Sequence, residues 1–316
     1  MEPSTRATLE RIGLQLDRGA RLFVKNGGIV ALSNSAILST LGEEKFDVSE
    51  RCRARESAPG TPWARPGSTW SQGRGSWSQA RGSWAACPAA PLLGAAVNTC
   101  REEDLKAVHR AYPGTKTWQD EEGIWLLTES TVLPGLRQAA VFLTAISYSQ
   151  QSAKGWGFWA SSITPAAWIG PRHTNFPDGS ICAFFAEDGT WVVGEPLTDL
   201  IDLYTVWALR HLHLQVIGWW PGEQAPCHPY ERLLESTETE YCGCGSGLRY
   251  GRCCRGRDLA RDRVADAVNF ALSTGGCVRR PPRAVTDFVS GHRSRPPARS
   301  DLFPQEIPGR QWPGLE

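Results

Sequence analysis

Two neighbouring stretches decide the fold of this chain, residues 122–130 (EGIWLLTES) and residues 137–149 (RQAAVFLTAISYS). Both are rich in β-branched and aromatic residues, which is typical of β-strands. Residues 102–111 before them suit a short helix. Residues 156–169 after them are again strand-like but contain Pro165. The central part of the chain therefore predicts a short helix followed by several strands.

A long helix is predicted farther along the chain, over residues 197–217, with Thr198 as its candidate N-cap. Apolar side chains recur in it at spacings of three and four, at Leu200, Leu203, Tyr204, Trp207 and Leu214. An irregular loop, residues 170–180, precedes this helix. The order of helix, strands, irregular loop and helix predicts an α+β fold with an antiparallel meander sheet and flanking helices.

The composition of the 316 residues is that of an ordinary globular protein, with 41% hydrophobic and 21% charged residues. A formal net charge of +1 predicts no general affinity for nucleic acid or for a membrane surface. The sequence after Met1 does not predict a secretory signal, and the longest apolar windows are too short to span a bilayer. We therefore expect no membrane association, and ten cysteines without an export signal favour a reducing cytoplasm.

The two ends of the chain and an internal repeat carry no recognisable chemistry. Residues 1–48 are of unknown role, although residues 22–32 have the pattern of a hairpin around Asn26-Gly27-Gly28. Residues 49–92 repeat a tryptophan every seven residues among Gly, Ser and Pro, which predicts a disordered insert, with a binding element as the alternative. Residues 276–316 are rich in arginine and proline, and they predict a disordered basic tail.

Four cysteines lie within residues 242–254, which are CGCGSGLRYGRCC. The thiolates of Cys242, Cys244, Cys253 and Cys254 suit tetrahedral Zn²⁺, and such closed four-sulfur sites are structural rather than catalytic. Glycines between them allow the sharp turns that bring the two cysteine pairs together. A segment this small buries too little apolar surface to fold alone, so zinc binding is expected to supply its folding free energy. The alternative is a set of surface thiols without a ligand.

The same residues, 242–254, resemble the SEC-C zinc motif, which is found at the end of the SecA translocase and in many bacterial proteins. Gly243 stands where the motif usually has proline, and two of its usual basic positions are not basic here. The resemblance implies an accessory module within residues 223–275 that docks a protein partner, with nucleic acid as the alternative. Because four sulfurs already complete the zinc set, Cys227 and His228 are interpreted as linker residues.

A second chemical signal lies in residues 173–182, which are HTNFPDGSIC. Cys182 follows a loop and a β-type pair, so we expect an accessible cysteine at a strand exit, where a thiolate acts as a nucleophile. Asn175 is placed to direct its side-chain amide at a developing oxyanion nearby. His173 is a candidate base, although its spacing alone does not place it against the sulfur. The alternative is that Cys182 is a buried core cysteine and that His173 braces the loop.

With Trp191 and the predicted long helix, these residues resemble the core of ubiquitin-conjugating enzymes, over about residues 101–222. Those enzymes carry a His-Pro-Asn motif, a Gly-x-Ile-Cys segment with the thioester cysteine, and a tryptophan eight or nine residues farther on. By position, the resemblance implies that Cys182 accepts a ubiquitin-like modifier from an activating enzyme. It also implies that Asn175 stabilises the oxyanion, that His173 is structural and that Trp191 packs beside it.

The chain departs from that family in three respects. Thr174 replaces the proline of the motif, and the separation of His173 and Cys182 is one residue shorter than usual. The usual proline-rich approach to the motif is reduced to Pro165 and Pro171. The pattern is closer to the divergent conjugating-enzyme-like proteins of bacteria. The predicted function is therefore thioester transfer of a ubiquitin-like modifier, with the zinc module recruiting a partner or substrate. The alternative is a non-catalytic, zinc-dependent adaptor that binds protein or nucleic acid.

Overall fold

The computed structural model describes residues 94–130, 139–148, 152–160, 167–183, 191–222, 224, 226 and 228–303, with residues 6, 7, 9, 10, 12, 14, 21–25 and 28–32. By its internal contacts the chain divides into two units. We call the first the sheet unit, which includes residues 95–211 and 277–316, and the second the cysteine unit, which includes residues 212–276.

The strands form two sheets. Strands β1 (Arg21–Lys25) and β2 (Gly28–Leu32) pair with each other, as the hairpin pattern predicts. The larger sheet consists of β3 (Lys116–Asp120), β4 (Gly123–Glu129), β5 (Ala140–Ser147), β6 (Ser152–Trp159) and β7 (Ala167–Trp168). Its strands are antiparallel and neighbour one another in chain order. The predictions of an α+β fold and an antiparallel meander are confirmed.

The helices are α1 (Gly94–Ala111), α2 (Leu197–Ile217), α3 (Pro229–Glu235), α4 (Arg255–Leu259), α5 (Arg263–Thr274) and α6 (Arg283–Val289). The bounds of α2 are those predicted, whereas α1 begins well before the predicted residue 102. Thr198 is not the N-cap of α2, because the helix begins at Leu197 and the backbone N–H of Leu197 donates to the carboxylate of Asp104 at 3.0 Å. A carboxylate from α1 therefore satisfies the first amide of α2.

One face of the large sheet packs against α2. The ring of Tyr204 lies 5.8 Å from the ring of Phe142, measured between centroids. Trp207 lies directly on strand β6, since an added Cβ at Gly157 would be 2.5 Å from its indole ring. Glycine at this strand position is thus what allows the tryptophan to approach the backbone.

The opposite face of the sheet is covered by the C-terminal segment, residues 277–303. Trp125, Leu143, Ala145, Trp156 and Phe158 from the sheet form one core cluster with Val285, Phe288, Leu302 and Phe303 from that segment. The prediction of a disordered tail is therefore wrong for residues 277–303, while residues 304–316 lie outside the described part. Although this segment is rich in arginine and proline, its few apolar residues are enough to cover the sheet.

The cysteine unit has a small core of a different kind. Cys242, Tyr250 and Cys254 are buried there, with Leu233 packed against them. Beside this cluster, Asp258 accepts two hydrogen bonds from Arg232, each 2.8 Å long, and one of 3.0 Å from the hydroxyl of Tyr250. The buried charges of Arg232 and Asp258 are thus paired with each other, as buried charges generally are, and this pair forms part of the interior of the unit beside its few apolar side chains.

Parts of the sequence analysis fall on residues that the structure leaves undescribed. The tryptophan repeat of residues 49–92 and Cys227 are outside the described ranges. Among the described residues near the start, Leu9 is fully buried and Arg6 pairs with Glu10 one helical turn later. None of the helices in the described ranges has both the length and the apolar character needed to cross a membrane.

Candidate functional site

The first candidate site is the group of four cysteines in the cysteine unit. The sulfurs of Cys242, Cys244, Cys253 and Cys254 all lie within 4.8 Å of one another. The Cys244 and Cys253 sulfurs are 3.5 Å apart, and those of Cys253 and Cys254 are 3.7 Å apart. Four sulfurs at about 2.3 Å from a tetrahedral ion would be about 3.8 Å apart, so the group has the size of a metal site. The four cysteines could hold a metal ion.

The local backbone explains how these cysteines meet. Tyr241 and Arg249 form an antiparallel bridge, and the Cys242 N–H donates to the Leu248 carbonyl at 2.8 Å. The chain between them therefore turns back on itself. A short 3-10 helix, Tyr250–Arg252, then follows and leads directly into the second cysteine pair, Cys253 and Cys254. Tyr250 is buried, and its burial holds this turn against the rest of the cysteine unit.

Polar groups surround the sulfurs, as is usual around metal ligands. The hydroxyl of Ser246 lies 3.2 Å from the Cys253 sulfur, and the guanidinium of Arg257 donates to the Cys254 sulfur at 3.2 Å. Four thiolates on one divalent ion leave a net negative charge, which a neighbouring arginine offsets. The sequence analysis did not identify Arg257 in this role.

The acidity of the thiols differs across the group. Burial raises the pKa of Cys242 and of Cys254. Burial also acts to raise the pKa of Cys244, but hydrogen bonds from Ser246 and from neighbouring cysteines outweigh it and lower this pKa to about 6. Of these three thiols, Cys244 therefore loses its proton most readily. A bound cation would stabilise the others and release their protons.

Gly243 accounts for one departure from the SEC-C pattern. An added Cβ at this residue would lie 1.8 Å from the carbonyl oxygen of Pro226. The backbone of Pro226 therefore occupies the space that a side chain or a proline ring at position 243 would need. Glycine here follows from the close approach of another segment rather than from the turn alone.

The second candidate site is a tight hairpin in the sheet unit that carries His173, Asn175 and Cys182. Thr174 and Ile181 form an antiparallel bridge, the Asn175 N–H donates to Ser180 at 2.7 Å, and the Cys182 N–H donates to His173 at 2.9 Å. The Ile181 N–H donates to the carbonyl of Gly155, which attaches the hairpin to strand β6. One backbone hydrogen bond therefore joins the hairpin to the edge of β6.

The register of the hairpin makes the candidate residues neighbours. Thr174, Ser180 and Ile181 are buried, and His173 has a left-handed backbone with φ of 50°, so the side chains do not alternate strictly between two faces. His173 and Cys182 are paired across the hairpin, and Asn175 is then a diagonal neighbour of Cys182, a relation with a separation of about 7 Å. Cys182 is partly exposed and Asn175 is exposed. The prediction of an accessible cysteine fits this exposure better than the alternative of a sealed core cysteine.

The other residues of the predicted site have structural partners. The carbonyl of His173 accepts hydrogen bonds from the Cys182 N–H and from the indole N–H of Trp207 at 3.0 Å. Trp191 is buried, and its indole N–H donates to the carbonyl of Pro196 at 3.0 Å. Both residues therefore have structural partners, and the packing of Trp191 beside His173 stays a prediction.

Three groups from distant parts of the chain hold the hairpin, and the sequence analysis missed all of them. Lys154 donates to the Asp178 carboxylate at 2.6 Å, and the indole of Trp156 donates to the Asp178 carbonyl at 2.8 Å. On the other side, Arg279 donates to the carbonyl of Thr174 at 2.6 Å and lies 4.0 Å above the ring of Phe176. No local spacing links these residues, so sequence patterns could not have paired them.

Three histidines outside the hairpin contact other parts of the chain. His211 lies 2.7 Å from the carbonyl of Arg172, and His213 lies 2.9 Å from the carbonyl of Trp219, so these two rings have different partners. His228 is more than a linker residue. Its ring caps α3 by accepting from the Tyr230 N–H, and it packs against Phe270 at 4.9 Å.

Comparisons of the chain with protein-family models, with curated proteins and with solved structures gave no match. The functional assignment therefore depends on the residues and contacts described above.

Proposed function

We propose that this chain transfers a ubiquitin-like modifier through a thioester on Cys182, and that its four-cysteine group holds zinc in a module that recruits a protein partner. The observation that carries the proposal is the hairpin pairing of His173 with Cys182. It makes Asn175, an exposed residue, the diagonal neighbour of Cys182, a partly exposed residue. A nucleophile next to a hydrogen-bond donor is the arrangement that acyl transfer requires.

The first step we propose is transfer of the modifier onto Cys182. The Cys182 thiolate attacks the thioester carbonyl carbon that joins the modifier to its activating enzyme. A new C–S bond forms to Cys182, the old C–S bond breaks, and the activating enzyme leaves as a thiolate that takes up a proton. No redox change occurs, and the energy of the thioester is kept.

The second step is discharge to an amine. The amine nitrogen attacks the Cys182 thioester, the carbonyl oxygen becomes an oxyanion, and the C–S bond then breaks as the Cys182 thiolate leaves. The amine proton passes to solvent. Asn175 acts here by donating to the oxyanion, and one such donor is worth about 3 kcal/mol in the transition state.

Zinc is proposed as the metal because the donors are four cysteines. The sulfur separations of 3.5 Å and 3.7 Å suit a tetrahedral ion, and soft thiolates are preferred by zinc over hard cations such as magnesium. Four protein ligands leave no open position, so the ion stabilises the fold and takes no part in catalysis. The resemblance to the SEC-C motif supports a docking role for this module.

The transfer proposal is tested with a short peptide thioester as the acyl donor and a free amine as the acceptor. Purified protein should form a covalent peptide adduct that thiols remove, and Cys182→Ala should abolish it. Cys277→Ala is the matched control, since Cys277 is an exposed cysteine of the same unit. Asn175→Ala should charge normally and discharge about a hundredfold more slowly. An adduct on Cys277 alone would favour the adaptor function, in which the zinc module docks a partner without transfer.

The metal proposal has its own measurement. We expect one zinc ion per chain in the purified protein and its loss in Cys253→Ser, because three thiolates no longer close the tetrahedral site. Cys182→Ser should retain the zinc, as it changes a cysteine of the other unit. Zinc that is absent from the wild type, or that persists in Cys253→Ser, would contradict the proposal.

A further inference from the structure

A chain of hydrogen bonds leads from Lys154 to the side chain of Asn175. The Lys154 ammonium donates to one carboxylate oxygen of Asp178 at 2.6 Å. The Ser180 hydroxyl donates to the other oxygen of Asp178 at 2.7 Å. The side-chain nitrogen of Asn175 then donates to the Ser180 oxygen at 3.1 Å and, in a longer bond of 3.5 Å, to the carbonyl of Ile181 beside Cys182. Every bond in this series runs toward the carboxylate, which is the one ionised acceptor in it.

The surroundings hold this series in place. Ser180 is 1% exposed, and its backbone N–H also donates to Asp178 at 3.0 Å. The Lys154 ammonium makes a second bond to the carbonyl of Leu302 at 2.7 Å. Lys154 and Asp178 have side chains only 26% and 19% exposed, so water competes weakly for their charges.

The direction of these bonds decides which end of the Asn175 amide faces Ser180. A serine hydroxyl has one proton, and here that proton is committed to the carboxylate of Asp178. The Ser180 oxygen is then left only as an acceptor. It must meet the amide nitrogen of Asn175 and not the amide oxygen, because two acceptors repel each other.

We propose that Lys154, Asp178 and Ser180 are positioning residues that fix the polarity of the Asn175 side chain for oxyanion stabilisation at Cys182. The inference rests on the proposed transfer function and deepens it. An amide rotated by half a turn would present its oxygen to the developing negative charge and would oppose the reaction. The carboxylate excludes that orientation through Ser180, and Lys154 holds the carboxylate in place.

The test uses the full chain and two independent measurements. The first is NMR of protein labelled with ¹⁵N at asparagine, where the only other asparagines are Asn26, Asn34, Asn98 and Asn269. Asn175→Ala assigns the Asn175 side-chain signals. Asp178→Asn supplies an amide that can donate to Ser180 and so release its proton for the opposite bond. We expect the Asn175 amide signals to shift in Asp178→Asn and in Ser180→Ala.

The second measurement separates positioning from general damage. With the peptide thioester, Asp178→Asn and Ser180→Ala should charge Cys182 at close to the wild-type rate and discharge about tenfold to a hundredfold more slowly. Lys154→Met should show a smaller loss of discharge, and Lys154→Arg should restore it. Lys106→Met is the matched control, since Lys106 forms an exposed ion pair with Glu102. It should change neither the signals nor the rates.

The outcomes also separate this inference from the transfer proposal. If the Asn175 signals shift as expected but the wild type never forms the adduct, the hydrogen-bonded series stands and the transfer proposal fails. If the wild type is charged and discharged but Asp178→Asn discharges normally, positioning by this series is refuted and transfer stands. Unchanged Asn175 signals in both Asp178→Asn and Ser180→Ala would also refute it. Should Asp178→Asn fail to fold, Ser180→Ala decides, because it removes one hydroxyl and no charge.

Discussion

The most direct test of the fold is removal of one ring from the C-terminal segment, in Phe288→Ala. Phe288 is 6% exposed and lies edge-on to Trp118, with 5.1 Å between the ring centroids. Truncating a buried phenylalanine to alanine costs about 3–5 kcal/mol through lost burial and the cavity left behind. We take the lower end, about 3 kcal/mol, because the helix that carries the residue is short and can move to fill part of the space.

The assay is hydrogen exchange of the β5 and β6 backbone amides, which isolates the sheet unit from the rest of the chain. A loss of about 3 kcal/mol should raise their exchange rates by about a hundredfold. Val278→Ala is the control, because Val278 belongs to the same segment but is 65% exposed. It should change the rates by less than about threefold. If Phe288→Ala behaves like Val278→Ala, residues 277–303 do not cover the sheet and the packing described here is wrong.

Three further predictions concern single residues. Gly243→Pro introduces the residue that is usual in the SEC-C motif. It should weaken zinc binding, measured by competition with a chelator, because the backbone of Pro226 occupies the space that a proline ring at position 243 would need. A gain in zinc affinity would refute the described contact. Arg232→Met should destabilise the cysteine unit by about 3 kcal/mol in urea unfolding, because the buried Asp258 loses the cation that balances its charge and keeps only the hydrogen bond from Tyr250. Asp258→Leu added to it should recover part of the loss. Burial lowers the pKa of His211 to about 4, so below pH 6.5 the unfolded state binds a proton that the folded state does not. Stability should therefore fall by about 1.4 kcal/mol per unit as the pH drops from 6.5 toward 4, and an equal slope in His211→Gln would contradict the assignment.

The elements that the sequence predicted well are those whose signal is local. Helix α2 repeats its apolar residues at helical spacing over its whole length, and its predicted bounds are those observed. The four cysteines were also recognisable, since their spacing reflects a single turn and one antiparallel bridge. In both cases the contacts that define the element join residues less than about twenty positions apart, so a local sequence pattern is enough to predict the element.

The elements that the sequence missed depend on contacts between distant residues. Arg279 contacts Thr174 across 105 positions, and Lys154 contacts Leu302 across 148. One local signal for the C-terminal cover did exist. Residues 124–127 in β4 are apolar without alternation, which is typical of a strand buried on both faces. Since α2 covers one face, the pattern required a second cover, and residues 277–303 provide it.

The same long-range contacts bear on Thr174, which stands where the ubiquitin-conjugating enzymes that this stretch resembles have proline. A proline limits the backbone by its ring, whereas a threonine needs other restraints to hold one conformation. Here the Thr174 hydroxyl donates to the carbonyl of Pro171, and its own carbonyl accepts from the buried Arg279. The restraint that a ring would give locally is thus supplied by hydrogen bonds, one of them from the C-terminal segment. It follows that Thr174 can hold Asn175 in one conformation without a proline, and that the C-terminal segment contributes to the proposed site as well as to the core.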